Sequence, residues 1–159
     1  MYTAQASVTV SASPQATWDF VSNYQNFAHF MPNIKSIVML EGKLSEWHLS
    51  GPLGIPVSWQ AATTTSEAAK RLAWQSVEGT IDTNGYIELE PVETNSTKIT
   101  VFIEYQPPLG AFGEAFALLF KNPQIMLEEG LAKIGGLLGA DPVVVLDKAE
   151  TQVALGIPA

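Results

Sequence analysis

Apolar and polar side chains alternate from the start of the chain: Ala4, Ala6, Val8 and Val10 interleave with Thr3, Gln5, Ser7 and Thr9. A period of two puts the apolar set on one face of a half-buried strand, so a first strand is predicted over residues 2–11. Ser13 and Pro14 then supply a helix N-cap and a first-turn proline, and Trp18 and Val21 give that helix an apolar side as far as about Asn23. Tyr24, Phe27 and Phe30 crowd the next segment, which predicts a second short helix ending before Pro32.

From Ile34 the pattern becomes strand after strand, interrupted at Glu41-Gly42, Gly51-Pro52, Glu67 to Lys70, Glu78-Gly79 and Glu93 to Ser96. These breaks delimit six further strands, over 34–41, 44–50, 55–65, 71–77, 81–90 and 97–105. Their connections are too short for crossovers, so the sheet is an antiparallel meander of seven strands, counting the first. Pro107-Pro108-Leu109-Gly110 ends the last strand. Beyond it the period becomes helical: Phe112, Phe116 and Phe120 recur four apart, and Leu127, Leu131, Ile134 and Leu138 follow at spacings of four, three and four. One long helix is predicted over 111–138, broken near Pro123, with its apolar stripe facing the sheet. The expected class is α+β: a curved seven-strand antiparallel sheet wrapped around a long C-terminal helix, with two short helices after the first strand. The tail, 139–159, has no clear period although it contains the apolar run Val143 to Leu146.

Composition narrows the function. A chain of 159 residues fits one domain that buries roughly two thirds of the surface its unfolded form exposes. A net charge of −8 with no basic patch opposes a nucleic-acid or anionic-membrane partner. The absence of cysteine excludes disulfides, thiolate catalysis and Cys-type zinc sites, and suits a reducing compartment. Met1-Tyr2-Thr3-Ala4 lacks the charged and apolar regions of a secretion signal, and no apolar run reaches the roughly 20 residues that span a bilayer. A cytoplasmic protein without integral membrane association is therefore expected.

The chemistry-bearing candidates follow from strand parity. Trp47 shares a face with Leu49, Trp59 with Val57 and Ala61, and Trp74 with Leu72 and Ser76. Facing inward under a helix, three indoles would wall an apolar pocket, although large aromatics also serve as plain core. Tyr105 has the parity of Ile103 and Val101 and sits at a strand end, where its hydroxyl is a candidate for proton transfer. Phe112, Phe116 and Phe120 are placed to lid the same pocket. His48 alternates with Trp47 and so falls on the outer face, and His29 lies in the aromatic connection; neither has metal-ligand spacing with another residue. Asp82, Glu88, Glu90 and Glu104 oppose the apolar sets of their strands, as solvated positions do. No metal, cofactor, nucleophile elbow or phosphate loop is indicated.

Four stretches, Trp47-His48-Leu49-Ser50-Gly51-Pro52-Leu53-Gly54, Val57-Ser58-Trp59, Leu72-Ala73-Trp74-Gln75-Ser76 and Tyr105-Gln106-Pro107-Pro108-Leu109-Gly110, resemble the bacterial polyketide cyclase/dehydrase-like branch of the START-like superfamily. The resemblance implies a helix-grip ligand-binding domain over 1–138, followed by an extension, 139–159, that departs from the pattern. It implies a cavity between sheet and helix, with Trp47, Trp59, Trp74, Tyr105, Phe112, Phe116 and Phe120 as its lining. Three functions stay open. The first is binding or carriage of an apolar or aromatic molecule, such as a lipid, isoprenoid or polyketide-like compound. The second is a cyclase, aromatase or dehydratase-like enzyme; the third is an interaction module, including one that self-associates.

Overall fold

Seven strands run antiparallel in one curled sheet: β1 (Tyr2–Val10), β2 (Ile34–Met39), β3 (Leu44–Ser50), β4 (Pro56–Glu67), β5 (Arg71–Gly79), β6 (Asp82–Glu93) and β7 (Ser96–Gln106). The computed structural model describes residues 2–31, 33–79, 81–107, 110, 113–115, 117, 122–138 and 145–146. Strands β2 to β7 form a meander, and β1 closes it by pairing with β7 along its whole length, Tyr2 opposite Tyr105 and Val10 opposite Thr97. The predicted helix-grip class is therefore found. Its sheet gains a short addition from the tail: β8 (Val145–Leu146) pairs with Thr9 and Val8 on the outer edge of β1. Strand β6 also runs past the predicted end at residue 90, carrying Pro91 through a register shift between Pro91 and Glu93, where a missing N–H is tolerated.

The connection after β1 contains α1 (Pro14–Val21), capped by the Ser13 hydroxyl, which accepts from the Ala16 N–H at 3.1 Å. The second predicted helix is a 3₁₀ helix, Tyr24–His29, capped by the Asn23 side chain on the Gln25 N–H. Short 3₁₀ turns are stiff, tight connectors. This one buries Tyr24 and Phe27, with Phe30 and Met31 following, so it carries aromatic bulk into the concave side of the sheet.

Helix α2 (Pro123–Leu137) begins at the predicted break, where Asn122 leaves helical geometry at φ −124° and ψ 64°. Residues 113–115 and 117 are helical before the break, whereas Phe112, Phe116 and Phe120 lie outside the described residues. Leu127, Leu131 and Ile134 of the predicted stripe are fully buried, and Leu138 packs against their cluster. Two contacts fix the helix. The Gln124 side chain accepts from the Gln5 N–H at 3.3 Å and donates to the Gln5 carbonyl at 3.0 Å, so one amide satisfies β1 backbone on the edge away from β7, where no described strand pairs at Gln5. Gly130 sits against the 3₁₀ segment, where a β-carbon would lie 2.0 Å from the Phe30 carbonyl oxygen.

That contact sets opposite outcomes for two helix glycines. Gly130→Ala should destabilise the protein by about 1–3 kcal/mol, because a methyl there must push backbone aside. Gly136→Ala, with nothing within 4 Å of the new β-carbon, should stabilise it by about 0.5–1 kcal/mol through helix propensity. Urea unfolding of the two variants beside the parent checks both signs.

Candidate functional site

Between the inner face of the sheet and the first turn of α2 lies an apolar cavity of about 80 Å³. Its described walls come from many elements: Met31 and Ile34 beyond the 3₁₀ helix, Trp47 and Leu49 from β3, Trp59 from β4, Trp74 from β5, Ile81 and Thr83 around the start of β6, Ile103 and Tyr105 from β7, and Pro123 and Met126 from α2. A wider depression of about 460 Å³ lies between the 3₁₀ helix and the far ends of β4 and β5, but Ser22, Asn23, Lys43 and Thr63 to Ser66 make about half of its lining polar. The small cavity combines apolar walls with all three predicted tryptophans.

Strand pairing explains how the indoles meet. Trp47 and Trp59 are direct cross-strand partners, and their rings stack at 5.6 Å with 26° between planes. Trp74 pairs with Gly85 of β6, where a β-carbon would come within 2.6 Å of the indole, so glycine there lets the ring lie flat on the neighbouring strand. Tyr24 and Phe27 descend from the 3₁₀ helix and meet Trp47 and Trp74 edge-on at 5.4–6.3 Å. The five rings form one block that fills much of the concavity.

The polar groups within these walls differ in how they are satisfied. The Trp47 indole N–H donates to the Ser45 hydroxyl at 2.9 Å, and Ser45 in turn reaches the Ala61 carbonyl. The Thr83 hydroxyl donates to the Glu104 carbonyl at 2.8 Å. Tyr24 exchanges a hydrogen bond with Thr63 at 2.8 Å; burial raises its phenol pKa, and that bond works in the opposite direction. Tyr105 stacks on Tyr2 at 5.4 Å, and burial, with a smaller contribution from Tyr2, pushes its phenol well above the ordinary value. Trp59 is 6% exposed, yet its indole N–H is buried with no hydrogen-bond partner among the described residues.

The structure brings Trp47, Trp59, Trp74 and Tyr105 of the predicted lining together on one cavity. Phe112, Phe116 and Phe120, the predicted lid, lie outside the described residues. His48 is on the outer face, half-exposed and 3.0 Å from Glu46, and His29 is exposed on the 3₁₀ helix. Among the described residues no group of three or more His, Asp or Glu is placed to hold a metal ion. Leu49 and Ile103 were accessible to parity, since each shares a face with a named residue, and so was Thr83, which lies on the face opposite Asp82, Glu88 and Glu90. Met31 and Met126 were not, because one lies in an irregular segment and the other flanks the helical stripe.

The same architecture recurs in solved structures. A protein from Deinococcus radiodurans superposes with a TM-score of 0.71 at 23% identity, covering 87% of this chain and 100% of its own. A START superfamily protein from Mycobacterium smegmatis gives 0.67 at 15% identity, covering 87% and 98%. The Zhui aromatase/cyclase from Streptomyces sp. R1128 gives 0.63 at 16% identity, covering 96% and 95%. These similarities establish the fold. No curated protein matches the sequence. No helix among the described residues is long and apolar enough to cross a membrane. Residues 1–134 match the family described as polyketide cyclase / dehydrase and lipid transport, and the chain belongs to that family.

Proposed function

We propose that the protein binds an apolar or aromatic small molecule in the cavity under α2, as a carrier or sequestering module. The observation that supports this most strongly is the convergence of Trp47, Trp59 and Trp74 on one apolar space reached by the N-terminal turn of the helix. Lipid transport is part of the family's description, and a similar structure is an aromatase/cyclase. Both suit a lipid, isoprenoid or polyketide-like ligand.

The size of the cavity shapes the mechanism. A space of about 80 Å³ is well below the roughly 300–1,000 Å³ of ordinary ligand pockets. Binding therefore proceeds by displacement of wall side chains. Met31 and Met126 are the adaptable ones, since an unbranched thioether reorients at little cost. Both line the cavity, and both also line a surface groove of about 250 Å³ with His29, Glu129 and Lys133. Turning these two side chains aside joins groove and cavity.

The second reading, a cyclase or dehydratase, draws on Tyr105, the titratable side chain among the described lining. Burial keeps its phenol protonated at neutral pH, so it donates a hydrogen bond or proton and does not act as a base. Turnover would depend on shape, with Tyr105 orienting a carbonyl.

Native mass spectrometry of protein purified from its own host tests the binding reading. A bound mass should appear on the parent and vanish from Met126→Trp, which plugs the cavity at a half-buried site, while the melting temperature holds within about 5 °C. Retention of that mass by the plugged variant would place the ligand elsewhere.

The tyrosines set the expected pH behaviour. Ligand affinity should be flat between about pH 6 and pH 9, because the neutral Tyr105 phenol does not titrate there. A phenol with a raised folded pKa stabilises the protein below its unfolded pKa and loses that contribution as pH rises. Unfolding free energy should therefore hold up to about pH 10 and fall above it, less steeply in Tyr105→Phe. Chemical unfolding across that range measures the slope.

A further inference from the structure

Trp47 and Trp59 are stacked partners in one apolar wall, but the chain treats their indole N–H groups differently. Two residues before Trp47, on the same strand face, stands Ser45, whose hydroxyl accepts a hydrogen bond from the Trp47 indole N–H at 2.9 Å. The corresponding neighbours of Trp59 are Val57 and Ala61, which offer no acceptor side chain. The cross-strand partner of Trp59 on β5 is Gly79, which has no side chain to offer. Because the two indoles lie nearly parallel, at 26°, the Trp59 N–H points along its own ring plane and not into the Trp47 face. Its nitrogen is buried without a partner among the described residues, in a residue that lines the cavity.

A buried donor left unpaired is costly, and native proteins keep few of them. Phenylalanine would fill most of the same space without that cost, so the N–H needs a reason. Of the other lining residues, Leu49, Ile81, Ile103 and Met126 are apolar, the Thr83 hydroxyl already donates to the Glu104 carbonyl, and Tyr105 is held by stacking on Tyr2. Such a wall offers water too few partners to compete for the donor.

We propose that the cognate ligand is a carbonyl-bearing apolar molecule whose oxygen accepts a hydrogen bond from the Trp59 indole N–H, and not a bare hydrocarbon. The proposal rests on the ligand-binding reading and specifies its chemistry. The apolar body of the ligand takes the space next to Met31 and Met126, and its oxygen fixes the orientation at β4. A site with an unmet donor discriminates against analogues that lack the acceptor, because they leave the donor unpaired in the complex as well.

The test compares indane with indanone, which share a ring skeleton and differ by one carbonyl. Calorimetric titration of both into the parent and into Trp59→Phe gives a ratio of affinities in each protein. The indanone-to-indane ratio should fall by about tenfold in Trp59→Phe, the size of one buried hydrogen bond to a neutral acceptor. Independently of that variant's folding, the Trp59 indole proton resonance of the parent should move downfield with indanone and not with indane, while the Trp47 proton, already bonded to Ser45, serves as reference. An unchanged ratio, or equal shifts with both compounds, would overturn the carbonyl assignment and leave the binding reading standing. Failure of both compounds to bind the parent would overturn the two together.

Discussion

Tyr24 and Phe27 hang from a single 3₁₀ turn and press edge-on against Trp47 and Trp74, and this contact between connection and sheet sets the dimensions of everything above it. The rings occupy the floor of the concavity, so the space left under α2 is small and its walls are aromatic. The same turn delivers the Phe30 carbonyl to the place where α2 must lack a β-carbon, at Gly130. Floor, wall and helix are thus tied through the short connection from Tyr24 to Phe30, and a shift of that turn changes the cavity and the seat of the helix together. Dense packing transmits such shifts because interiors have little slack.

Much of the fold was legible because its rules are local. Period-two alternation located the seven strands, and the change of period after Tyr105 located the helix and its break at Pro123. Parity correctly sent His48 outward beside Glu46 and brought Trp47, Trp59, Trp74 and Tyr105 inward. What parity does not carry is register. That Trp74 lies on Gly85, that Trp59 faces Gly79 and that Gly130 meets Phe30 are facts of long-range pairing, invisible in a chain read a few residues at a time. The pairing of Val145–Leu146 with β1 is of the same kind, as two residues are too few to show a period. Met31 and Met126 escaped notice because their role depends on which side of the concavity the connection and helix approach.

The site is chemically sparse, and that sparseness informs the functional reading. A family whose description joins cyclase and dehydrase chemistry with lipid transport spans catalysts and carriers, and one fold can serve both because function lives in the lining. Here the lining is aromatic and aliphatic, with a phenol held neutral, a threonine already committed to backbone, and one unmet indole donor. On the proposed reading, such a wall selects by shape and by a single directional bond. Among the described residues it offers no base.

The central claim is that a small apolar ring compound enters the space between the sheet and the first turn of α2. Intermolecular nuclear Overhauser effects from bound indanone to the protein's methyl groups test it most directly. The account predicts cross-peaks from the ring protons to Met31, Ile81, Ile103 and Met126 together. Cross-peaks confined to exposed side chains such as Leu53, which is 96% exposed, would contradict it.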